Sequence, residues 1–431
     1  MKSLKYLCST LLTATCLNVF ASAAMAQIPV VPCWQPHDFS FTSSAKPANP
    51  FMVSFSAKVT GPNGKTFALP GFYDGEGVWK IRVSPTTTGD WSLVTQSDVA
   101  ELSGRKVDFT GVKNTNPNSH GLLRVDSEHP HHFIFDDGTR FFMQAHIFIK
   151  VYNKAVKWPE KGSPEEALFF RWIMARYAAY PNIIWDFSKE AHNEKNLTYK
   201  QGWLKTIRAT DPYHHLVTVH DDDAANDSGA YDDLTDFRAD QHHQGQKGRN
   251  DHDTILFQRE RRAWPVANVE SDYECGLKGL EDKTYGKVMT PEATASTLWD
   301  IAMAGGYTGY YYTFTAWDVI RPFDEPKGYT YMKHFGDFWR STEYWKLDPS
   351  DQLVNSGWCL AQPGREYVVF QRQDLPFTLN IDGVTSTLTG EWFNPLTGKR
   401  SAAGKFKNGT AMLTPPADWG DTPLVLHIKE K

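Results

Sequence analysis

The chain has 431 residues, more than one hydrophobic core normally organises, so two or three domains are expected. Hydrophobic residues make up 41% and charged residues 22%, the balance of a folded, water-facing protein. A net charge of −5 with no long basic run argues against nucleic acid as a partner, whereas 15 Trp offer rings that stack on sugars as well as fill cores.

The first 26 residues read as a leader. Lys2 and Lys5 open it, an apolar stretch through Leu11, Leu12, Leu17, Val19 and Phe20 follows, and Ala24-Met25-Ala26 is a small-x-small cleavage site. The stretch is too short to span a bilayer, no later segment reads as a transmembrane helix, and Thr15 before Cys16 breaks a lipidation box. The expectation is an exported protein, periplasmic or secreted, without membrane insertion. Past the leader only Cys33, Cys275 and Cys359 remain. They leave room for one disulfide and no framework, and the lack of CxxC pairs excludes a zinc ribbon.

Residues 27–118 read as strands. Alternation at 51–57 and 78–83, separated by turn signals at 61–64, 74–77 and 88–90, predicts an immunoglobulin-like β-sandwich. Polar residues 114–119 form a linker. From 119 to 345 the pattern changes: helical stretches at 164–180, 199–210 and 291–304 alternate with apolar runs at 143–151, 182–186, 216–220, 237–241, 265–270 and 307–314. This repetition predicts parallel strands with crossover helices, a central (β/α)8-type (TIM-like) barrel whose chemistry sits at the carboxyl ends of its strands. From 346 to 431 strands return, at 366–370, 377–381, 390–394 and 424–428, and predict a small C-terminal β-sandwich.

Glu190 lies just beyond the run at 182–186, and Glu270 ends the run at 265–270. A carboxyl at a rigid strand end beside an aromatic can have its acidity shifted by desolvation, as a general acid requires; a helix N-terminal carboxylate would fit position 190 equally well. Counting back from 307–314 as the last strand, the two glutamates end strands three positions apart. They can then face each other across a barrel mouth, one protonating the leaving oxygen while the other attacks the anomeric carbon of a glycoside. Around them Trp185, Asn193, His220, Asp221, Gln241, His242, Tyr273 and Trp317 supply the rings, donors and acceptors that a hydroxyl-rich oligo- or polysaccharide needs. His220, Asp222 and His242 offer a metal-dependent alternative, but no HExxH or calcium-loop spacing supports it, and neither metal nor cofactor is expected.

At these residues the chain resembles bacterial glycoside hydrolases of the apiosidase-like type, which place a DUF5060-like sandwich before a DUF4038-like barrel and end in a small β-domain. The first module is carried by PGFYDGEGVWK at 70–80, SPT at 84–86 and GDW at 89–91. The barrel is carried by HGLLRV at 120–125, FIFDDG at 133–138, ARY at 175–177 and PNIIWD at 181–186, and the last module by WFNPLTG at 392–398. The resemblance covers nearly the whole mature chain. It implies a retaining mechanism with Glu190 as acid/base and Glu270 as nucleophile, acting on plant or microbial polysaccharide.

The chain departs from that pattern in one place. Such barrels have a first strand at a position like 140–142, then two β/α units before a strand like 148–154, and here only 143–147 intervenes. About six units are legible where a closed barrel has eight. The alternative reading is therefore a non-catalytic glycan-binding protein, an inactive barrel remnant between two sandwiches.

Overall fold

Alternating burial along 78–83, with Trp79, Ile81 and Val83 inside, is the pattern of a strand that lays one face on a core. In the computed structural model, which describes residues 28–145, 159–187, 191–222, 229–230, 232–243, 250–274, 288–312 and 326–430, that strand is one of eight between residues 30 and 112. They are β1 (Val30–Pro32), β2 (His37–Thr42), β3 (Phe55–Thr60), β4 (Thr66–Pro70), β5 (Phe72–Gly75), β6 (Val78–Val83), β7 (Gly89–Ser97) and β8 (Lys106–Val112). Two sheets, β1-β8-β7-β3-β4 and β2-β6-β5, enclose Phe39, Phe55, Trp79, Leu93 and Phe109. The strand expected over 51–57 begins only at Phe55. Ahead of it, Pro50–Met52 form a 3-10 turn, because Pro50 sets a helical φ and the Asn49 side chain accepts from the Phe51 N–H at 3.0 Å.

A small antiparallel sheet follows, with β9 (Leu123–Val125), β10 (Phe133–Phe135) and β11 (Arg140–Phe141) in the order β11-β10-β9. Residues 140–141 thus belong to this sheet rather than to the parallel array. Phe133 is fully buried against Phe237 and Tyr307, residues at the N-terminal ends of two later strands, so the small sheet floors the array.

The array itself consists of β12 (Gln144–Ala145), β13 (Trp185–Asp186), β14 (Val217–Thr218) continued by β15 (His220–Asp222), β16 (Arg238–Gln241), β17 (Val266–Glu270) and, after β18 (Tyr273–Glu274) and β19 (Val288–Met289), β20 (Tyr307–Gly309). Every pairing is parallel: β12-β20-β17-β16-β15, with β13 beside β14. Six strand positions therefore follow one another in an arc, and its outer members, β12 and β13, are not paired with each other among the described residues. Beyond the carboxyl ends, β18 lies between β19 and β21 (Tyr311–Tyr312).

Helices α1 (Pro164–Tyr177), α2 (Leu197–Thr210), α3 (Asp251–Arg261), α4 (Pro291–Met303) and α5 (Gly328–Arg340) connect and cover these strands. Pro164 and Pro291 stand at first helical positions behind Ser163 and Thr290, whose side chains accept from the N–H groups of Glu166 and Ala293. Helix α4 is buried on all sides from Thr294 to Met303, because the parallel strands lie on one face and the C-terminal domain on the other.

That domain holds β22 (Asp348–Pro349), β23 (Trp358–Gln362), β24 (Glu366–Gln371), β25 (Phe377–Asn380), β26 (Leu388–Phe393), β27 (Arg400–Phe406), β28 (Thr410–Leu413) and β29 (Leu424–Lys429). The sheet β22-β23-β24-β29-β26-β27 packs against the pair β25-β28, a small sandwich with Tyr367, Val369, Leu379 and Leu426 inside.

Both sandwiches share cores with the middle domain. Trp299 of α4 stacks on Phe370 with centroids 5.7 Å apart, and Asp300 accepts from the Trp358 indole at 2.8 Å and from Arg372. On the other side Arg82 donates to the Arg176 carbonyl at 2.8 Å, and the Tyr213 hydroxyl accepts from the Ser84 N–H at 2.8 Å. Cys33 and Cys359 are buried free thiols in different sandwiches, and Cys275 and residues 1–26, expected to be a leader, lie outside the described residues.

Candidate active site

Glu270 ends β17, whose five residues are all buried at the centre of the five-stranded parallel sheet. At 2% exposure its carboxyl group needs donors around it, since burying a charge without them is expensive. The Tyr273 hydroxyl donates to Oε1. The His220 ring sets Nε2 3.5 Å from Oε2 and 3.2 Å from Gln241 Oε1. Both neighbours are acceptors, so the tautomer that suits this position carries its proton on Nε2.

Strand register assembles the group. His220 comes from β15, Gln241 from β16 and Glu270 from β17, and a register shift between Asp240 and Gln241 brings Gln241 opposite Glu270. Asp186 on β13 accepts from the His220 backbone N–H at 2.9 Å. Tyr311 completes this face: burial, and then the charges of Glu270 and Asp186, push its phenol well above the ordinary range, so it remains a protonated donor. Its ring meets Tyr273 edge-on with centroids 5.2 Å apart, and the His243 ring lies nearly parallel to Tyr273 at 6.1 Å.

Of the residues singled out in the sequence, Glu270, His220, Gln241 and Tyr273 are brought together. Asp221, next to His220, lies 3.7 Å from Nδ1 of His192, and Asn193 is exposed on the 3-10 turn Ala191–Asn193. Two expectations are corrected. Successive strand side chains take opposite faces, and Trp185 turns away from Asp186 into the core shared with the N-terminal sandwich, where its indole donates to Asp211 at 3.0 Å. His242 turns behind the sheet after Gln241: it is fully buried, with Nδ1 2.9 Å from Asp251 at the start of α3. Neither ring is placed to meet a substrate.

Glu190, Trp317 and the Asp222 side chain lie outside the described residues. Among the described ones, no group of three or more His, Cys, Asp or Glu is arranged to hold a metal ion. Sequence reasoning passes over Asp186 and Tyr311 as members of the site. The signal for Tyr311 is the run of three tyrosines at 310–312, where alternation sends Tyr310 to Glu274 and Tyr311 toward Glu270.

The profile of DUF5060, a domain of unknown function, matches residues 30–98. That of the apiosidase-like catalytic domain matches residues 132–347, half of the chain. A crystal structure described as a candidate glycoside hydrolase from Bacteroides vulgatus ATCC 8482 superposes with a TM-score of 0.72 at 17% identity, covering 94% of this chain and 100% of that one. A glycoside hydrolase of family 5 from the same bacterium gives 0.56 at 14% identity, covering 74% and 95%. A third structure, named a glycoside hydrolase, gives 0.54 at 15% identity, covering 74% and 99%. At these identities the likeness is one of fold. No curated protein matches the chain. A buried strand-end glutamate, a fold shared with glycoside hydrolases and the profile match lead to one conclusion: the chain belongs to the apiosidase-like catalytic-domain family and carries a DUF5060 module ahead of that domain.

Proposed function

We propose that the protein is an exported, retaining glycoside hydrolase in which Glu270 is the nucleophile and Glu190 the acid/base. The observation that carries this reading is the Glu270 carboxyl group, buried at a strand end and held by Tyr273 and His220. A nucleophilic carboxylate has to be ionised and fixed in one orientation, and two donors on its oxygens serve both needs. Glu270 attacks the anomeric carbon while Glu190 gives its proton to the leaving oxygen, and a glycosyl ester forms. Glu190 then takes a proton from water, the water oxygen bonds to the anomeric carbon, and the Glu270 carboxylate leaves with net retention.

Gln241, Asp221, Asn193 and Trp317 are assigned to the sugar, as partners of its hydroxyls and as a stacking ring. The substrate class is plant or microbial oligo- and polysaccharide. Residues 1–26 are assigned as the export leader, and no described helix is long and apolar enough to cross a membrane. Incubation with a set of 2-deoxy-2-fluoroglycosyl fluorides, followed by intact and peptide mass spectrometry, tests the mechanism. A glycosyl adduct on Glu270 is the expected result, and hydrolysis of substrate with inversion would overturn it.

A second reading, glycan binding without turnover, follows from the sequence, where only 143–147 stand between positions that related barrels separate by two β/α units. Calorimetric binding of oligosaccharides with no product formed, unchanged by Glu270→Gln, would assign that role instead.

A further inference from the structure

Glu274, beside Tyr273 in the two-residue strand β18, is a second buried carboxyl group at the carboxyl-end face, with 2% exposure. It takes no part in the chemistry outlined above. Its neighbours show another use. Oε2 accepts the Tyr310 hydroxyl and, at 2.8 Å, the backbone N–H of Gly328, the first residue of α5. Helix α5 has no capping side chain of its own, since Lys327 at its N-cap makes no such bond. The N–H of its first residue is thus met by a carboxyl group from a different element, while those of Tyr329 and Thr330 bond to the Pro326 and Lys327 carbonyls.

The approach is close. A Cβ on Gly328 would stand 2.2 Å from the Tyr310 ring and 2.3 Å from Glu274 Oε2, so only glycine lets the helix start here. Further along α5, Met332, Phe335, Phe338 and Trp339 are packed in the main core. Gln144 of β12 donates to the Met332 carbonyl at 3.2 Å and accepts from Arg340 at 3.1 Å. The helix is therefore anchored along its length, and whatever is fastened to its first turn is fastened to the core.

Strand β18 itself is only two residues long. It pairs with β19 and β21 over two residues each, Tyr273 opposite Val288 and Tyr311, Glu274 opposite Met289 and Tyr312. Tyr273 and Glu274 take opposite faces of this short strand, one reaching Glu270 and the other α5. A small roll of the strand would move the distal Tyr273 hydroxyl furthest.

We propose that Glu274 is a positioning residue for Glu270: by fastening β18 to Tyr310 and to the first turn of α5, it keeps the Tyr273 hydroxyl on the Glu270 carboxyl group. The catalytic part of this proposal rests on the reading of Glu270 as nucleophile; the fastening does not.

The test uses the whole mature chain, the best substrate from a panel of 4-nitrophenyl glycosides, and a crystal structure of Glu274→Ala. Glu274→Ala lowers kcat about tenfold with KM little changed. The loss disappears in a Tyr273→Phe background, because the contact it protects is already gone. Glu274→Gln, which keeps an acceptor for the Gly328 N–H, restores most of kcat. Equal losses from Glu274→Ala in the presence and absence of the Tyr273 hydroxyl would overturn the proposal. If Glu274→Ala does not fold, Tyr310→Phe removes half of the fastening and is read in the same cycle. Wild-type protein that turns over none of the panel overturns the nucleophile reading instead. In that case the Glu274→Ala crystal structure decides the fastening by itself: a Tyr273 hydroxyl displaced from Glu270 supports it, and one still bonded there refutes it.

Discussion

The Tyr273 hydroxyl donates to Oε1 of Glu270, three residues earlier in the chain and across the turn that leaves the central parallel strand. This bond links the strongest sequence signal, a carboxyl group closing the buried run VANV, to a tyrosine on the strand that follows. A hydrogen bond to an ionised group contributes about 1.5–3 kcal/mol. If it acts mainly on the charge of the nucleophile, Tyr273→Phe lowers kcat/KM by roughly 10- to 100-fold. Steady-state kinetics with a melting curve on the same preparation measure this; an unchanged rate would remove Tyr273 from the mechanism.

His220 carries a heavier structural load, since its fully buried ring lies within 3.5 Å of both Gln241 and Glu270. Replacement by Ala takes that donor from the buried Glu270 carboxyl group and from the half-buried Gln241 side chain. Loss of a donor to a buried acceptor costs about 1–3 kcal/mol. His220→Ala is therefore expected both to lose activity and to unfold at clearly lower denaturant concentration, whereas Tyr273→Phe loses activity with a smaller change in stability. Chemical denaturation of the two variants side by side distinguishes them, and equal midpoints would contradict this division of roles.

Gly328 provides a purely steric check on the junction between β18 and α5. With a Cβ 2.2 Å from the Tyr310 ring and 2.3 Å from Glu274, Gly328→Ala forces one of them to move. Overpacking of this kind costs about 1–3 kcal/mol. A lowered Tm is expected, although alanine is the better helix former at an open site. A Tm equal to or above wild type would show that the helix start has room to shift.

The junction between α4 and the C-terminal sandwich is expected to respond to pH. Burial pushes the Asp300 carboxyl up to about 6 from its ordinary 3.8, even with Arg372 and the Trp358 indole bonded to it. A raised folded-state value means that the native chain holds this proton more tightly than the unfolded one. The contribution is fully present below about pH 4 and is lost as pH rises through about 6. A shift of roughly two pH units corresponds to about 3 kcal/mol at most. Asp300→Asn cannot titrate, so the stability of wild type relative to this variant should fall between pH 4 and pH 7. Urea midpoints across that range measure it, and a difference independent of pH would contradict the burial of a titrating Asp300.

What is legible in the sequence follows from what is local. The alternation of 78–83, the apolar run ending in Glu270, and the proline-led starts of α1 and α4 appear in the structure because each depends on neighbouring residues. Which face Trp185 or His242 takes depends on strand register and the bulge at Asp240, and these are set by partners far along the chain. The start of helix α5 is not legible, since its cap is Glu274, 54 residues before Gly328, although Met332, Phe335, Phe338 and Trp339 recur at helical spacing along it. Helix α3 is hidden for a different reason: Asp251, His252 and Gln258 are buried in it and break the apolar stripe. The assignment of 140–142 to the parallel array fails because Arg140–Phe141 pairs antiparallel with β10, and the array starts at Gln144.

Sugar release from pectic and other plant oligosaccharides, by wild type and by Glu270→Gln, tests the proposed chemistry most directly. Both proteins are first shown to melt at similar temperatures. Product from wild type, with at least a thousandfold loss in Glu270→Gln, is the predicted result. Equal release by the two folded proteins would contradict it.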